Sequence, residues 1–309
     1  MFSSCSLARL FFFALVLLLP TSPSAAPAKT APQATQATQA TGIFPNTLGW
    51  LVIVGGDDTP IDVQRRFVEL AGGAGKARIL LLPMASREYD EEANEVTGEF
   101  KSLGAQVMLM NMQRTEALDP NNAELLRNFT GFWFLGGDQS RLSQILVDTP
   151  VLQQIFSRYR EGAVVGGTSA GASVMSGVML TGRWKTPQNS DDDENFNIAR
   201  GMKEVSQGFD LIKGAIIDQH FMKRARYNRL LSAVLDRPQL LGVGIDEETA
   251  LIVRPDGLWE VAGKYYVKIF DARRARVQED EGPMAKASDI RMHVLPAGST
   301  FDTRKRRVQ

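Results

Sequence analysis

The stretch VVGGTSAGAS, residues 164–173, places a serine among glycines at the point where an apolar run meets small, helix-compatible residues. This pattern predicts a buried β-strand followed by a tight turn into a helix. Within it, residues 167–171 (GTSAG) fit the G-x-S-x-G nucleophile elbow, in which a sharp strand-to-helix turn exposes the serine hydroxyl. A turn selected only for close packing could have the same sequence. Whether residues 167–171 are a nucleophile elbow or only a close-packed turn depends on the catalytic partners that the rest of the chain supplies.

Short apolar runs alternate with amphipathic stretches around this elbow. The predicted strands are residues 51–54, 79–82, 107–110, 132–135, 164–165 and 215–217, and the predicted helices are residues 63–70, 91–103, 123–129 and 142–159, with a break at Pro150. Apolar strands separated by helices indicate a doubly wound α/β fold, with a mostly parallel sheet and helices on both faces. Later strand patterns at residues 250–253, 259–261, 266–270 and 293–295 predict a small antiparallel C-terminal extension.

The N-terminal residues have the composition of a leader and a linker. Arg9 precedes an apolar run at residues 10–19 and a small-residue stretch, which predicts a secretory signal peptide over residues 1–28. The apolar run is about half the ~20 residues of a spanning helix, so no membrane attachment is expected after cleavage. A Gln-Ala-Thr repeat makes residues 29–43 a predicted flexible linker. Residues 44–309 are predicted to form one α/β domain, in a secreted or periplasmic protein.

Composition excludes several classes of function. Lys plus Arg and Asp plus Glu number 35 each, so nothing favours a nucleic-acid partner. The only cysteine, Cys5, lies in the predicted leader, which leaves the mature chain without a disulfide or a thiolate nucleophile. Two glycine-rich segments, residues 55–58 and 71–77, lack the spacing of dinucleotide and phosphate loops. No metal-ligand spacing is evident, and no cofactor is expected.

A serine hydroxyl needs a base to act as a nucleophile, and the chain contains two histidines. His293 lies inside a late strand pattern, which favours a structural role. His220 directly follows the predicted strand at residues 215–217. Because the carboxyl ends of parallel strands converge at one edge of a sheet, His220 is predicted to be the base for Ser169.

A basic cluster follows the candidate base. Arg224, Arg226 and Arg229 lie in a predicted helix at residues 223–235. Guanidinium groups bind carboxylates through paired hydrogen bonds, so the cluster predicts a site for an anionic substrate. A solvated basic helix face is the alternative interpretation.

Four sequence blocks carry a resemblance to a known family: FLGGDQ at residues 134–139, GGTSAGA at 166–172, IDQHF at 217–221 and GIDEETA at 244–250. In this order they resemble the cyanophycinases, which are aspartyl-dipeptidase-like serine peptidases with a class I glutamine amidotransferase-like fold. The likeness extends from residue 51 to residue 301.

The resemblance implies an exo-acting serine peptidase that degrades cyanophycin, a poly-aspartate with arginine on its side-chain carboxyls, to β-Asp-Arg dipeptides. By position, Ser169 would be the nucleophile and His220 its base. In the mechanism that this chemistry predicts, the backbone N–H groups of Gly137 and Ala170 form the oxyanion hole. An acid, Asp218, is expected to face the substrate's guanidinium. The residues that the resemblance implies in substrate binding are Gln139, Asp218, Gln219, Arg224, Arg226 and Arg229.

The chain departs from the family pattern in the loop between the serine and the histidine, where the family places the acid of its triad. The loop is longer here, so spacing does not assign the acid. The candidates are Asp191, Asp192, Asp193, Glu194 and, at a later strand end, Glu247. A solvated acidic loop without a catalytic role explains residues 191–194 equally well.

Because this loop departs from the family pattern, the sequence does not fix the identity of the substrate. A related peptidase acting on other β-aspartyl or acidic peptides is the first alternative, and a non-catalytic binding protein on the same fold is the second. The sequence leaves open whether the chain forms a homodimer.

Overall fold

The computed structural model describes residues 47–184, 197–201, 203–278 and 284–309. The predicted leader, the predicted linker and the acidic stretch at residues 191–194 lie outside the described residues, and those predictions stay untested.

The strands are β1 (Trp50–Val54), β2 (Arg78–Leu82), β3 (Gln106–Leu109), β4 (Gly131–Phe134), β5 (Val164–Thr168), β6 (Val178–Trp184), β7 (Lys203–Gln207), β8 (Ala215–Asp218), β9 (Leu241–Ile245), β10 (Thr249–Val253), β11 (Leu258–Gly263), β12 (Tyr266–Asp271), β13 (Arg276–Gln278), β14 (Lys286–Ser288), β15 (Arg291–Pro296), β16 (Thr300–Asp302) and β17 (Arg307–Val308). The α-helices are α1 (Ile61–Leu70), α2 (Asp90–Ser102), α3 (Arg114–Ala117), α4 (Pro120–Leu125), α5 (Gln139–Leu146), α6 (Pro150–Arg160), α7 (Ala170–Ser173) and α8 (Tyr227–Asp236), and a 3₁₀ turn covers Leu126–Asn128.

The main sheet has nine strands in the order β17-β16-β11-β10-β1-β5-β4-β2-β3. Its strands β1 to β5 are parallel, and β10, β11, β16 and β17 add to it in antiparallel register. The predicted α/β class, with a mostly parallel sheet and antiparallel C-terminal strands, is confirmed.

Both faces of the main sheet are covered, which explains why its strands lack polar alternation. In β1, Leu51 and Ile53 belong to one core cluster, whereas Val52 and Val54 belong to the cluster that contains Phe67 of α1. A strand that is buried on both sides needs apolar residues at successive positions.

The strand that precedes His220 lies in a second sheet, contrary to the prediction that one parallel sheet carries both candidate residues. This four-stranded sheet has the order β15-β12-β9-β8, with only β8 and β9 parallel. One hydrophobic cluster contains Leu51 of the main sheet and Val243 and Ile269 of the second, so the two sheets share a core. Helix α8 packs through Leu230 on the second sheet's other side.

Candidate active site

Ser169 lies at the turn between β5 and α7, as the elbow motif predicts. Its backbone has φ 53° and ψ −109°, a conformation that non-glycine residues rarely adopt. The turn is tight because Gly171 packs directly against β4, where a Cβ would lie 2.8 Å from the Cβ of Phe134. The small residues around Ser169 therefore serve a specific purpose, which is to bring the start of α7 against the sheet.

The imidazole of His220 joins Ser169 to a carboxylate. Its Nε2 lies 3.0 Å from Ser169 Oγ, and its Nδ1 lies 2.6 Å from Oε1 of Glu247. The main chain of His220 is held by a 2.6 Å hydrogen bond from its N–H to the carbonyl of Gly55, directly after β1. The contact between the two sheets thus brings the histidine to the serine.

Glu247 lies in the connection between β9 and β10, and its side chain is 15% exposed. Of the acids that the sequence left open, Glu247 is the one that the structure places on His220. Its second oxygen, Oε2, lies 3.9 Å from Nζ of Lys223. The other candidates, residues 191–194, lie outside the described ranges.

The environment of His220 favours its neutral form. Burial lowers the pKa of the imidazole below its usual range, and the positive charges of Arg224 and Arg226 lower it further, while the hydrogen bond and charge of Glu247 act in the opposite direction. A neutral imidazole can accept a proton on Nε2 while Nδ1–H donates to the carboxylate.

Gly56 is a site residue that the sequence analysis passed over. Its φ is +116°, and a Cβ at this position would lie 2.5 Å from Nε2 and 2.7 Å from Nδ1 of His220. The backbone of Gly56 therefore forms the surface on which the imidazole rests. The signal in the sequence is the glycine pair at residues 55–56, which directly follows β1 and lacks the spacing of a dinucleotide loop.

Two backbone donors adjoin the serine. Gly137 lines the same cavity as Ser169, and the next residue is anchored by a 3.0 Å hydrogen bond from the N–H of Asp138 to the carbonyl of Ala85. Within the described chain, the N–H groups of Gly137 and Ala170 donate no hydrogen bond. Both remain available to a ligand oxygen.

A cavity of about 510 Å³ opens beside Ser169. Five of the predicted substrate-binding residues line it: Gln139, Gln219, Arg224, Arg226 and Arg229. Arg226 is oriented by hydrogen bonds from Nη1 to the carbonyl (2.7 Å) and side-chain Oε1 (2.8 Å) of Gln219. Thr181 and Gly182 of β6 complete the wall, and no motif in the sequence pointed to them.

Asp218 needs a correction, because it does not face this cavity. The residue is 1% exposed, and both carboxylate oxygens bind the guanidinium of Arg229, with Nε 2.9 Å from Oδ2. Arg226 Nη1 lies 3.8 Å from Oδ1. The carboxylate therefore holds two pocket arginines and is not open to a substrate cation.

The predicted helix at residues 223–235 also needs a correction. Helix α8 begins at Tyr227, and the preceding residues form a turn in which Ala225 has φ 48°. This left-handed residue interrupts a helix, so Arg224 and Arg226 lie on the turn and only Arg229 lies on the helix.

The other histidine, His293, lies on β15, and its ring packs edge-on against Phe301 at 5.1 Å between centroids. Among the described residues, no group of three or more His, Cys, Asp or Glu residues is placed to hold a metal ion. The helices in the described ranges are all too short or too polar to span a membrane.

A hydroxyl, an imidazole and a carboxylate in hydrogen-bonded series at an α/β elbow define the class of serine-type hydrolases. Residues 51–261 match the profile of peptidase family S51. The chain is 33% identical over 263 residues to a cyanophycinase of Geminocystis herdmanii, covering 82% of this chain and 93% of that protein. It is 33% identical over 270 residues to a cyanophycinase of a Nostoc species, covering 84% and 87%. The chain belongs to peptidase family S51 and is a serine-type peptidase.

A solved structure shares the fold. A peptidase from an acI-B1 Actinobacterium matches with a TM-score of 0.62 at 24% identity, over 83% of this chain and 98% of that one.

Proposed function

We propose that this peptidase hydrolyses cyanophycin and releases β-Asp-Arg dipeptides through an acyl-enzyme on Ser169. The observation that carries the proposal is the series Ser169–His220–Glu247 at the mouth of a cavity lined by three arginines. Membership of a family that contains cyanophycinases supports the choice of substrate.

In the first half of the reaction, His220 Nε2 takes the proton from Ser169 Oγ as the oxygen attacks the scissile carbonyl. The N–H groups of Gly137 and Ala170 stabilise the negative oxygen of the tetrahedral intermediate. The imidazolium then gives its proton to the leaving amine as the C–N bond breaks. In the second half, His220 takes a proton from a water molecule that attacks the acyl carbonyl, and the imidazolium returns this proton to Ser169 Oγ as the ester C–O bond breaks.

Glu247 orients the imidazole and stabilises its charged form during each half-reaction. Accepting the hydrogen bond from Nδ1–H fixes the tautomer in which Nε2 has the free lone pair. Since burial and the nearby arginines lower the pKa of His220, the ground state is neutral and ready to accept the serine proton.

The cavity suits the anionic part of the substrate. Three guanidinium groups line it, and guanidinium groups bind carboxylates through paired hydrogen bonds. Its volume of about 510 Å³ is within the range of sites that enclose small ligands.

We also propose that residues 1–28 are removed on export and that the mature enzyme acts outside the cytoplasm. The support is the leader-like order of Arg9, the apolar run and the small residues. N-terminal sequencing of the protein recovered from periplasm and medium tests this. A mature N-terminus near Ala26 or Ala28 supports export, and an intact N-terminus in the cytoplasm contradicts it.

Product analysis by mass spectrometry tests the activity. The wild type and Ser169→Ala are each incubated with cyanophycin and, in parallel, with α-linked aspartyl peptides. Release of β-Asp-Arg by the wild type alone supports the proposal. Cleavage of the α-linked peptides without release of β-Asp-Arg would identify a related peptidase with another acidic substrate, and release by Ser169→Ala would remove the assigned nucleophile.

A further inference from the structure

A second cavity adjoins the catalytic series on the side of Glu247. It has a volume of about 480 Å³, and its walls include Asp57, Met222, Glu247, Tyr265 and Tyr266. Glu247 also binds His220 at 2.6 Å, and His220 Nε2 lies 3.0 Å from Ser169 Oγ, so the wall of this cavity is connected to the nucleophile through two side chains.

The two cavities share one chain segment as a wall. Gln219, Arg224 and Arg226 line the first cavity, whereas Met222 and Lys223, between them in sequence, line the second. Both cavities therefore adjoin the segment that carries His220.

The second cavity has the opposite charge to the first. Its carboxylates are Asp57, Asp246, Glu247 and Glu248, against Lys223 and Lys268. Lys268 is held by Asp246 at 2.7 Å, and Glu248 pairs with Lys264. Asp57 is exposed and forms no ion pair with any described residue, so the cavity contains an unneutralised acid.

Aromatic faces accompany this acid. Tyr265 and Tyr266 are 47% and 44% exposed, so their rings are accessible to a ligand in the cavity. One of them already receives a cation, because Nζ of Lys268 lies 5.0 Å from the centroid of Tyr266. A guanidinium group stacks on such a ring while it donates hydrogen bonds to a carboxylate.

We propose that the second cavity binds the guanidinium side chain of the substrate repeat next to the scissile bond, with Tyr265 as its stacking face and Asp57 as its counter-ion. This inference rests on the proposed function for its substrate. It assigns the guanidinium group of that repeat to an acidic, aromatic site and the substrate carboxylates to the arginine-lined site. The arginyl arm of the polymer is long and flexible, so it can reach past the His220–Glu247 pair.

Steady-state kinetics on an oligomer of four β-Asp-Arg units test the assignment. Tyr265→Ala and Asp57→Asn are expected to raise KM by about 5–20-fold, with kcat within about twofold of the wild type, since neither side chain belongs to the series Ser169–His220–Glu247. Tyr265→Phe keeps the aromatic face, so its KM stays below that of Tyr265→Ala. The matched control is Asp58→Asn, because Asp58 is the exposed neighbour that does not line the cavity. An unchanged KM in Tyr265→Ala overturns the inference.

A binding measurement separates this inference from the proposed substrate. Calorimetric titration of the Ser169→Ala protein with L-argininamide needs no turnover. Saturable binding that is lost with Tyr265→Ala, and that neutral citrullinamide does not reproduce, supports the site even if the wild type fails to cleave the oligomer. If the oligomer is not cleaved and argininamide binds equally with and without Tyr265, or does not bind, the inference is wrong.

Discussion

Glu247 Oε1 lies 2.6 Å from Nδ1 of His220, although 27 positions separate the two residues in the chain. The contact exists because β8, which precedes His220, and β9, which precedes Glu247, are neighbouring parallel strands whose ends reach the same edge of the second sheet. In the proposed catalytic series, the acid therefore follows the histidine in sequence.

Substitution of Glu247 tests whether this residue or one of the candidates in the loop is the acid that acts on His220. Glu247→Gln keeps the size of the side chain but removes the charge that stabilises the imidazolium, so kcat should fall by about 10²–10⁴-fold with a smaller change in KM. Glu194→Gln, its matched control in the acidic loop, should retain kcat within about twofold. Steady-state hydrolysis of cyanophycin measures both. A large loss with Glu194→Gln and a small one with Glu247→Gln would reverse the assignment.

Gly56 should be required for the position of the imidazole. In Gly56→Ala the new methyl group would overlap the ring of His220, so we expect kcat to fall by about 10–100-fold. Gly72→Ala is a close control, because Gly72 has a similar φ of +112° but its Cβ would meet its nearest atom at 3.6 Å. Both variants should lose stability in thermal unfolding because of their positive φ, and Gly56→Ala should lose more because its methyl group also has to displace the ring of His220. Equal activity in the two variants would show that contact with His220 is unimportant.

The pH dependence of kcat/KM should reflect the lowered pKa of His220. The neutral imidazole is the active form, so the rate falls as pH drops through that pKa, and the midpoint of this acidic limb should lie below 6.5. Arg224→Gln removes one of the charges that lower the pKa, so its midpoint should move to higher pH. Arg274→Gln, a change to an exposed arginine away from these contacts, should leave the midpoint in place. A shift to lower pH in Arg224→Gln would contradict the electrostatic account.

Asp218 should contribute more to stability than to direct substrate contact. Asp218→Asn leaves the guanidinium of Arg229, a residue that is 5% exposed, without its charged partner. Breaking a buried pair in this way costs about 3–5 kcal/mol in the free energy of unfolding. Glu124→Gln breaks the exposed pair with Arg127 and should cost about 1 kcal/mol or less. Denaturant unfolding compares the two, and equal losses would contradict a structural role for Asp218.

Much of the fold was predictable from sequence because the main sheet is built from local signals. The runs in β1, β2, β4 and β5 are apolar on both faces, and the elbow at Ser169 has a motif with its own backbone requirement. His220 could be found because histidines are few and this one follows a strand.

The features of the fold and of the site that the sequence did not predict depend on contacts between distant segments. Nothing local distinguishes Glu247 from Glu248, yet the first binds His220 and the second pairs with Lys264. The membership of β8 in a second sheet is set by its pairing with β9, which apolar periodicity does not encode. Likewise, an aspartate at position 218 is chemically suited to bind a substrate cation. Only its burial against Arg229 shows that its carboxylate is already paired with a guanidinium group of the protein.

Trapping the acyl-enzyme tests the central claim most directly. The wild type and His220→Ala are mixed with a β-Asp-Arg oligomer, quenched in acid within the first turnover, and mapped by peptide mass spectrometry. We predict a substrate-derived ester on the peptide that contains Ser169 in the wild type, and none in His220→Ala. Efficient hydrolysis by the wild type without any adduct on Ser169, or an adduct that forms equally fast without His220, would contradict the account.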